Sequence, residues 1–328
     1  MFRWGILSTA NIGINQVIPA ICASENGVAH AIASRDLAKA RHVADRFGMK
    51  HAFGSYDELL ACDEIDGIYI PLPTSQHAEW TLKAAKAGKH VLCEKPIALK
   101  TAEIDALIAA RDQYGVVISE AFMVYYHPQW IKLRELLQEG VIGHLRRVEG
   151  VFTYFNNDPA NMRNQLSLGG GGLPDIGVYP VVTTRMSTGL EPKRIRAQIE
   201  FDPTFNTDRY ASVEAQFDGF DLHFYVATQM AYRQSMIFHG DKGYIEVHAP
   251  FNPLKYDHAR LTVHNATRDT TTAYSFQNIN QYQLQAETFV RKARGAPVSV
   301  FSLENSKGNQ HFIDMVYEAG KKGNWTEV

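Results

Sequence analysis

Two rhythms alternate along the first 120 residues. Short apolar runs at Trp4–Leu7, Val28–Ala33, Gly67–Pro71, His90–Cys93 and Val116–Glu120 are separated by stretches with a helical period. Between Leu37 and Phe47 the apolar stripe is Leu37, Ala40, Val43, Ala44 and Phe47, and Thr101–Tyr114 repeats the pattern at Ile104, Leu107 and Ile108. Thr101 is the expected N-cap of that second helix, with Glu103 in its first turn. Strands that are apolar throughout and alternate with helices predict a parallel sheet covered on both faces.

The rhythm changes after about residue 121. A helix over Gln129–Gln138 stops at Gly140 and Gly143, and longer strands with polar–apolar alternation follow. They are Leu145–Phe155, Arg194–Phe201, Ser212–Phe217, Asp221–Gln229, Ser235–His239 and Tyr244–Val247. Asp218–Phe220 and Gly240–Gly243 read as hairpin turns. Helices over Gln281–Ala293 and Leu303–Lys321 close the chain. The expected fold class is α/β plus α+β. A doubly wound parallel domain spans 1–121, and a domain on a large, mostly antiparallel open sheet spans 122–328, with the last helix packing back on the first.

Composition narrows the function classes. With 33 Lys and Arg against 35 Asp and Glu, the formal charge is −2, which argues against nucleic acid or an anionic membrane as the main partner. Cys22, Cys62 and Cys93 are odd in number and scattered, which suits a reducing compartment. Strand-like sequence begins at Phe2 without a leader, and no apolar run reaches the roughly 20 residues of a membrane span, so the expected location is cytoplasmic.

Ser8, Thr9, Ala10, Asn11 and Ile12 lie where the first strand feeds the first helix. A dinucleotide loop there reads G-x-G-x-x-G, because small residues let the pyrophosphate approach backbone amides at a helix start. This chain has Ser8, Ala10 and Gly13, so either an altered nucleotide loop or an ordinary turn is open on the motif alone. The second strand supplies context. It ends at Ser34-Arg35, where an NAD-binding chain places an acid for the ribose hydroxyl; a hydroxyl and a guanidinium suit a 2′-phosphate and predict NADP(H). Asp36 comes late for that acid and reads as the cap of the helix at Leu37.

"HVLCEKPIAL" (90–99) and "NMRNQLSLGGGGLPDIGVYP" (161–180), with "WGILSTANIG", "PLPTSQH" and "GDKGYIEVHAPFNP", resemble the glucose–fructose oxidoreductase, inositol dehydrogenase and MocA (Gfo/Idh/MocA) family over nearly the whole chain. Tyr179, where many members have His, places the resemblance nearest the glucose–fructose oxidoreductases, dimeric dihydrodiol dehydrogenases and NADP-linked xylose dehydrogenases. Ser8, Ala10, Tyr125 and Pro174 depart from the family pattern, the last two in stretches that bear on substrate.

The resemblance implies a hydride transferred between a nicotinamide and a carbonyl or hydroxyl carbon of a sugar, anhydrosugar or polyol. Oxidation of non-sugar vicinal diols, or a non-catalytic NADP(H) sensor, are the alternatives. Lys95 would hydrogen-bond the reacting oxygen, and Tyr179 would be its general acid or base, its phenolate favoured by the ammonium. Asp175 would orient substrate or lysine; as plain structure it is a charge at a helix start and Tyr179 a core aromatic. Pro174 suits the first turn of a helix starting near Leu173, and Pro96 is a candidate cis proline. Leu72, Pro73, Thr74 and His77 would line the cofactor, His77 alternatively capping the next helix, and Glu94 would shape the nicotinamide site.

Asn161 and Arg163 would hold substrate or the carboxamide, or else belong to a surface loop, while Gly169–Gly172 would admit substrate or cofactor close to the backbone. Tyr317 and Lys321 match a Y-x-x-x-K spacing by coincidence. His223, His239, His248, His258 and His264 lack metal-ligand spacing, so no catalytic metal is expected. Phe217, Phe220, Phe224 and Tyr225 are assigned to the packed face of the second sheet, which in this family commonly builds a homodimer or higher homo-oligomer.

Overall fold

The computed structural model describes residues 1–328 and divides into two compact units, Met1–Met123 with Asn280–Lys307, and Val124–Ile279 with Gly308–Val328. The first unit holds a six-stranded sheet of β1 (Phe2–Leu7), β2 (Gly27–Ala33), β3 (His51–Phe53), β4 (Gly67–Ile70), β5 (His90–Cys93) and β6 (Ile118–Glu120). Its order is β3-β2-β1-β4-β5-β6 and every pairing is parallel. Helices α1 (Ile18–Ala23), α2 (Leu37–Phe47), α3 (Tyr56–Leu60), α4 (His77–Lys86) and α5 (Thr101–Tyr114) connect the strands.

Separate apolar clusters, one around Leu7, Ile70, Val91 and Leu107 and the other around Trp4, Ile6, Ile32 and Leu92, bury both faces of this sheet. The second cluster includes Phe289 of α8 (Gln281–Ala293), whose ring lies 5.1 Å from that of Trp4. The segment Asn280–Lys307 therefore belongs with the first sheet, although it is inserted in the chain between the two stretches of the second unit, Val124–Ile279 and Gly308–Val328.

Helix ends follow local chemistry. Asp36 caps α2 by accepting from the amides of Ala38 and Lys39, and Gly48 closes it in the left-handed region at φ 65°. The N-cap of α5 is Lys100, not Thr101. The Glu103 carboxylate accepts from the amides of Leu99 and Lys100, so a first-turn acid does what a capping hydroxyl was expected to do.

In the second unit a nine-stranded sheet runs β14-β13-β12-β11-β7-β10-β9-β8-β15. Its members are β7 (Leu145–Phe155), β8 (Arg194–Phe201), β9 (Asp208–Gln216), β10 (Asp221–Ala227), β11 (Gln229–Gly240), β12 (Gly243–Val247), β13 (Ala259–Asn265), β14 (Thr271–Phe276) and β15 (Thr326–Glu327). All pairings are antiparallel except β7 with β10. Helices α6 (Pro128–Gln138) and α7 (Val178–Thr188) belong to this unit, and α9 (Leu303–Lys322) contributes to it from Gly308 onward.

Strand β10 shows the one-sided burial of such a sheet: Leu222, Phe224 and Val226 are buried while Asp221, His223 and Tyr225 are not. Phe217, Phe220 and Phe224 thus lie on the packed face, but Tyr225 stands on the other, where its hydroxyl accepts from Arg233. No helix is long and apolar enough to cross a membrane.

Candidate functional site

The strand order reverses between β1 and β4, the position at which doubly wound sheets receive nucleotides. Ser8 leaves β1 at φ 130°, a conformation that glycine adopts freely and serine does not. Its hydroxyl donates to the Pro71 carbonyl beyond β4 at 3.2 Å and accepts from the Ala10 amide at 3.3 Å. The turn of a glycine loop is therefore kept, with two side-chain hydrogen bonds holding it. A helical segment starts at Asn11 and widens into a π-turn at Gly13–Val17.

At the end of β2 the buried Ser34 hydroxyl accepts from the Asp36 amide at 3.2 Å, and Asp36 is committed to its own helix. Arg35 is exposed beside Tyr56, whose phenol is raised by burial and partly drawn back by that guanidinium. The donors at this edge fit a phosphate, and the nearest carboxylate is turned to α2.

The turn after β5 is tied from three sides. Glu94 accepts the Tyr69 hydroxyl at 2.7 Å and the Lys95 amide at 3.3 Å. The Lys95–Pro96 peptide is cis. Past it, the Ile97 amide donates at 3.0 Å to Glu120, a buried carboxyl that desolvation pushes up to about 7. His77 is buried, and its Nδ1 and Nε2 each lie 2.7 Å from a backbone carbonyl, of Pro96 and Leu72. Burial outweighs those carbonyls and holds its pKa below the ordinary value. His77 therefore neither caps α4 with its side chain nor lines an open surface; it joins the Leu72–Thr74 turn to the Lys95–Pro96 turn.

In the second unit a π-turn, Leu173–Gly177, leads into α7 with Pro174 in its first turn. Asp175 Oδ2 accepts from Arg163 Nε at 2.8 Å and from the Tyr154 hydroxyl at 2.8 Å. The carboxylate holds the Arg163 guanidinium firmly charged, and burial beside it raises the Tyr154 phenol. Arg163, expected at the cofactor, is the ion-pair partner of Asp175. Asn161 accepts from the Arg163 amide and caps a short turn. Tyr179 is 5% exposed, its ring packed 5.5 Å from Phe152 and 5.3 Å from Phe251. The core-aromatic surroundings and the position one turn beyond Asp175 thus coexist in one residue.

Two glycines of the run pack closely against the protein itself. A Cβ on Gly170 would lie 2.4 Å from the Arg163 carbonyl oxygen, and one on Gly171 2.2 Å from Asp208 Oδ1. Asp208, 2% exposed, accepts from the Leu173 amide at 2.6 Å and from the Tyr317 hydroxyl at 2.6 Å, and burial lifts its pKa to about 6. Tyr317 matches the Y-x-x-x-K spacing only by coincidence, yet it pins the start of the helix that carries Tyr179. Tyr154, Asp208, His77 and Glu120 are the positioning groups that motif reading overlooked or assigned elsewhere; alternation in a strand marks Tyr154 as inward-facing but says nothing of its partner.

Residues 2–122 match the model of the oxidoreductase family with an NAD-binding Rossmann fold, and residues 130–246 match that of the GFO/IDH/MocA C-terminal domain. The chain is 41% identical to an uncharacterized oxidoreductase of Rhizobium meliloti, covering 100% of this chain and 99% of that one. It is 33% identical to a D-xylose 1-dehydrogenase (NADP(+)) of Haloferax volcanii over 99% of each. The structure of a 3-ketoreductase from Actinomadura kijaniata, in complex with NADP and TDP-benzene, superposes with a TM-score of 0.91 at 27% identity over 97% of both chains. This protein belongs to the Gfo/Idh/MocA family of oxidoreductases and carries that family's NAD(P)-binding Rossmann domain.

Proposed function

We propose that the protein is an NADP(H)-dependent dehydrogenase or reductase acting on a CH–OH or carbonyl carbon of a sugar, anhydrosugar or polyol. The observation that carries the reading is the Glu94-Lys95-Pro96 turn, tied from three sides at the carboxyl end of a parallel strand. The NADP-linked xylose dehydrogenase among its relatives supports the substrate class, and the Ser34-Arg35 edge supports the phosphorylated cofactor.

When bound, the nicotinamide supplies or accepts the hydride. Lys95 donates a hydrogen bond to the reacting oxygen and stabilises negative charge on it. In reduction Tyr179 gives that oxygen a proton, and in oxidation it takes one away. Asp175, ion-paired with Arg163 and hydrogen-bonded by Tyr154, positions substrate hydroxyls. Ser8, Thr9, Ala10, Asn11 and Ile12 receive the pyrophosphate, and Leu72, Pro73, Thr74 and Glu94 shape the nicotinamide end. Three free cysteines suit a cytoplasmic location, and the open face of the large sheet suits a homo-oligomer.

The test is a fluorescence titration with NADPH and NADH, followed by turnover assays on xylose, 1,5-anhydrofructose, other sugars and aromatic dihydrodiols. NADPH-preferring binding with turnover of a sugar, abolished in Lys95→Ala, is the expected result. Turnover confined to diols would replace the substrate class, and binding without any turnover would favour a sensor.

A further inference from the structure

Away from the loops assigned to cofactor and substrate, three potential ligands converge at the β2–β3 edge of the first sheet. His30 on β2 and His51 on β3 both direct Nε2 at one oxygen of Glu64, Oε2, at 2.9 Å and 3.2 Å. Parallel pairing of Ala31 with His51 sets the two rings side by side, 5.5 Å apart, and Glu64 reaches them from the loop before β4. One ligand atom from each residue lies within 4.8 Å of the others, and all three side chains are partly exposed. Lys50 completes the group, its ammonium 2.7 Å from Oε2 and 2.9 Å from Oε1.

We propose that His30, His51 and Glu64 form a binding site for a divalent transition metal of the zinc class, with water completing the coordination. Two imidazoles and one carboxylate are a ligand set that such ions accept, and tetrahedral zinc with bonds of about 2.0–2.1 Å holds its ligands roughly 3.4 Å apart. The present separations from Oε2 need only a few tenths of an ångström of opening. The two nitrogens converge on the carboxylate from adjacent backbone-paired strands, so a metal needs no rearrangement of the sheet. Glu64 would bind through Oε2, which one Lys50 ammonium now shares with Oε1. The ammonium now near Oε2 is the competitor that the metal displaces. No residue assigned to hydride or proton transfer takes part, so the site is independent of the proposed catalysis.

Calorimetric titration of the full chain with Zn²⁺, and with Co²⁺ followed by its visible absorption, tests the assignment. One equivalent is expected to bind, with the intense visible bands of low-coordinate cobalt and a raised melting temperature. His30→Ala, His51→Ala and Glu64→Gln should each weaken binding at least about tenfold, with far-ultraviolet circular dichroism verifying the fold. Lys50→Met should tighten it several-fold, and His258→Ala should leave it unchanged. Absence of binding would overturn the site. So would a stoichiometric Co²⁺ spectrum that survives in the His30→Ala/His51→Ala double variant, and so would weaker binding in Lys50→Met.

Discussion

The two units hold their chemical side chains by opposite means. In the first, Lys95 follows a strand, so the sheet places its backbone, and the turn is tied by groups from neighbouring strand ends: Glu94 to Tyr69, His77 to Pro96, Glu120 to Ile97. In the second, Asp175 and Tyr179 stand on a helical segment whose first turn would otherwise leave its amides unpaired. A single buried carboxylate, Asp208, takes the Leu173 amide and is itself fixed by Tyr317. A strand end inherits its order from many backbone hydrogen bonds, whereas a helix start depends on a few side chains. Damage in the first unit should therefore be local and graded, and damage at Asp208 should spread to everything on α7.

The largest effect is expected from Tyr179→Phe, which keeps the ring against Phe152 and Phe251 and removes only the hydroxyl. Turnover should fall by about 10²–10⁴ with the melting temperature little changed. Near-normal turnover would show Tyr179 to be a packing residue. His77→Phe comes next. It leaves two carbonyls without a ring partner, at about 1–3 kcal/mol for a buried unpaired group, and should lower kcat more than it alters KM. His77→Gln, which retains a donor, should restore part of the loss.

Asp208→Asn should cost about 1–3 kcal/mol by mispairing one of its donors. It should also change the pH dependence in a defined direction. A carboxyl near 6 in the fold against an ordinary 3.8 binds more protons folded than unfolded between those values, so its contribution to stability is lost as pH rises through 6. Glu120, near 7, acts in the same sense. Buried His127, lowered to about 4, acts in the opposite sense and loses stability as pH falls below 6.5. Melting curves of wild type and Asp208→Asn across pH 4–7 should converge as pH rises, because only the wild type carries the Asp208 penalty. Parallel curves would contradict the raised pKa. The smallest effect concerns the rim of the first unit: Arg35→Ala should weaken NADPH by about tenfold, or about 1.4 kcal/mol, and leave NADH unchanged. Equal losses for both would remove the 2′-phosphate assignment.

Much of this was legible from residue patterns, and unevenly so. The helices Leu37–Phe47, Thr101–Tyr114 and Gln281–Ala293 and the strands His90–Cys93, Leu145–Phe155 and Arg194–Phe201 follow period and caps alone. The hairpin β13–β14 escaped because Thr271–Phe276 is an exposed edge with little apolar contrast. Short β3 and α3 fall below the length at which a period can be counted. The EKP and GGGG runs lie in the turn after β5 and in the approach to α7. The reason for the glycines was not visible, because Asp208 lies 35 residues from Leu173 and its other partner, Tyr317, a further 109 away. Sequence-local chemistry shows in motifs; partners joined only by tertiary packing do not.

The discontinuity of the first unit bears on how the protein is made. Its six strands leave the ribosome first, yet Phe289, which covers Trp4 and Phe2, arrives only after eight of the nine strands of the second sheet have been synthesised. Until then the nascent parallel sheet carries an uncovered aromatic flank, a surface that chaperones bind and that sticks to its like. A fragment ending at Met123 should consequently be expressed as aggregate, and supplying the 280–307 segment on a short linker should make it soluble.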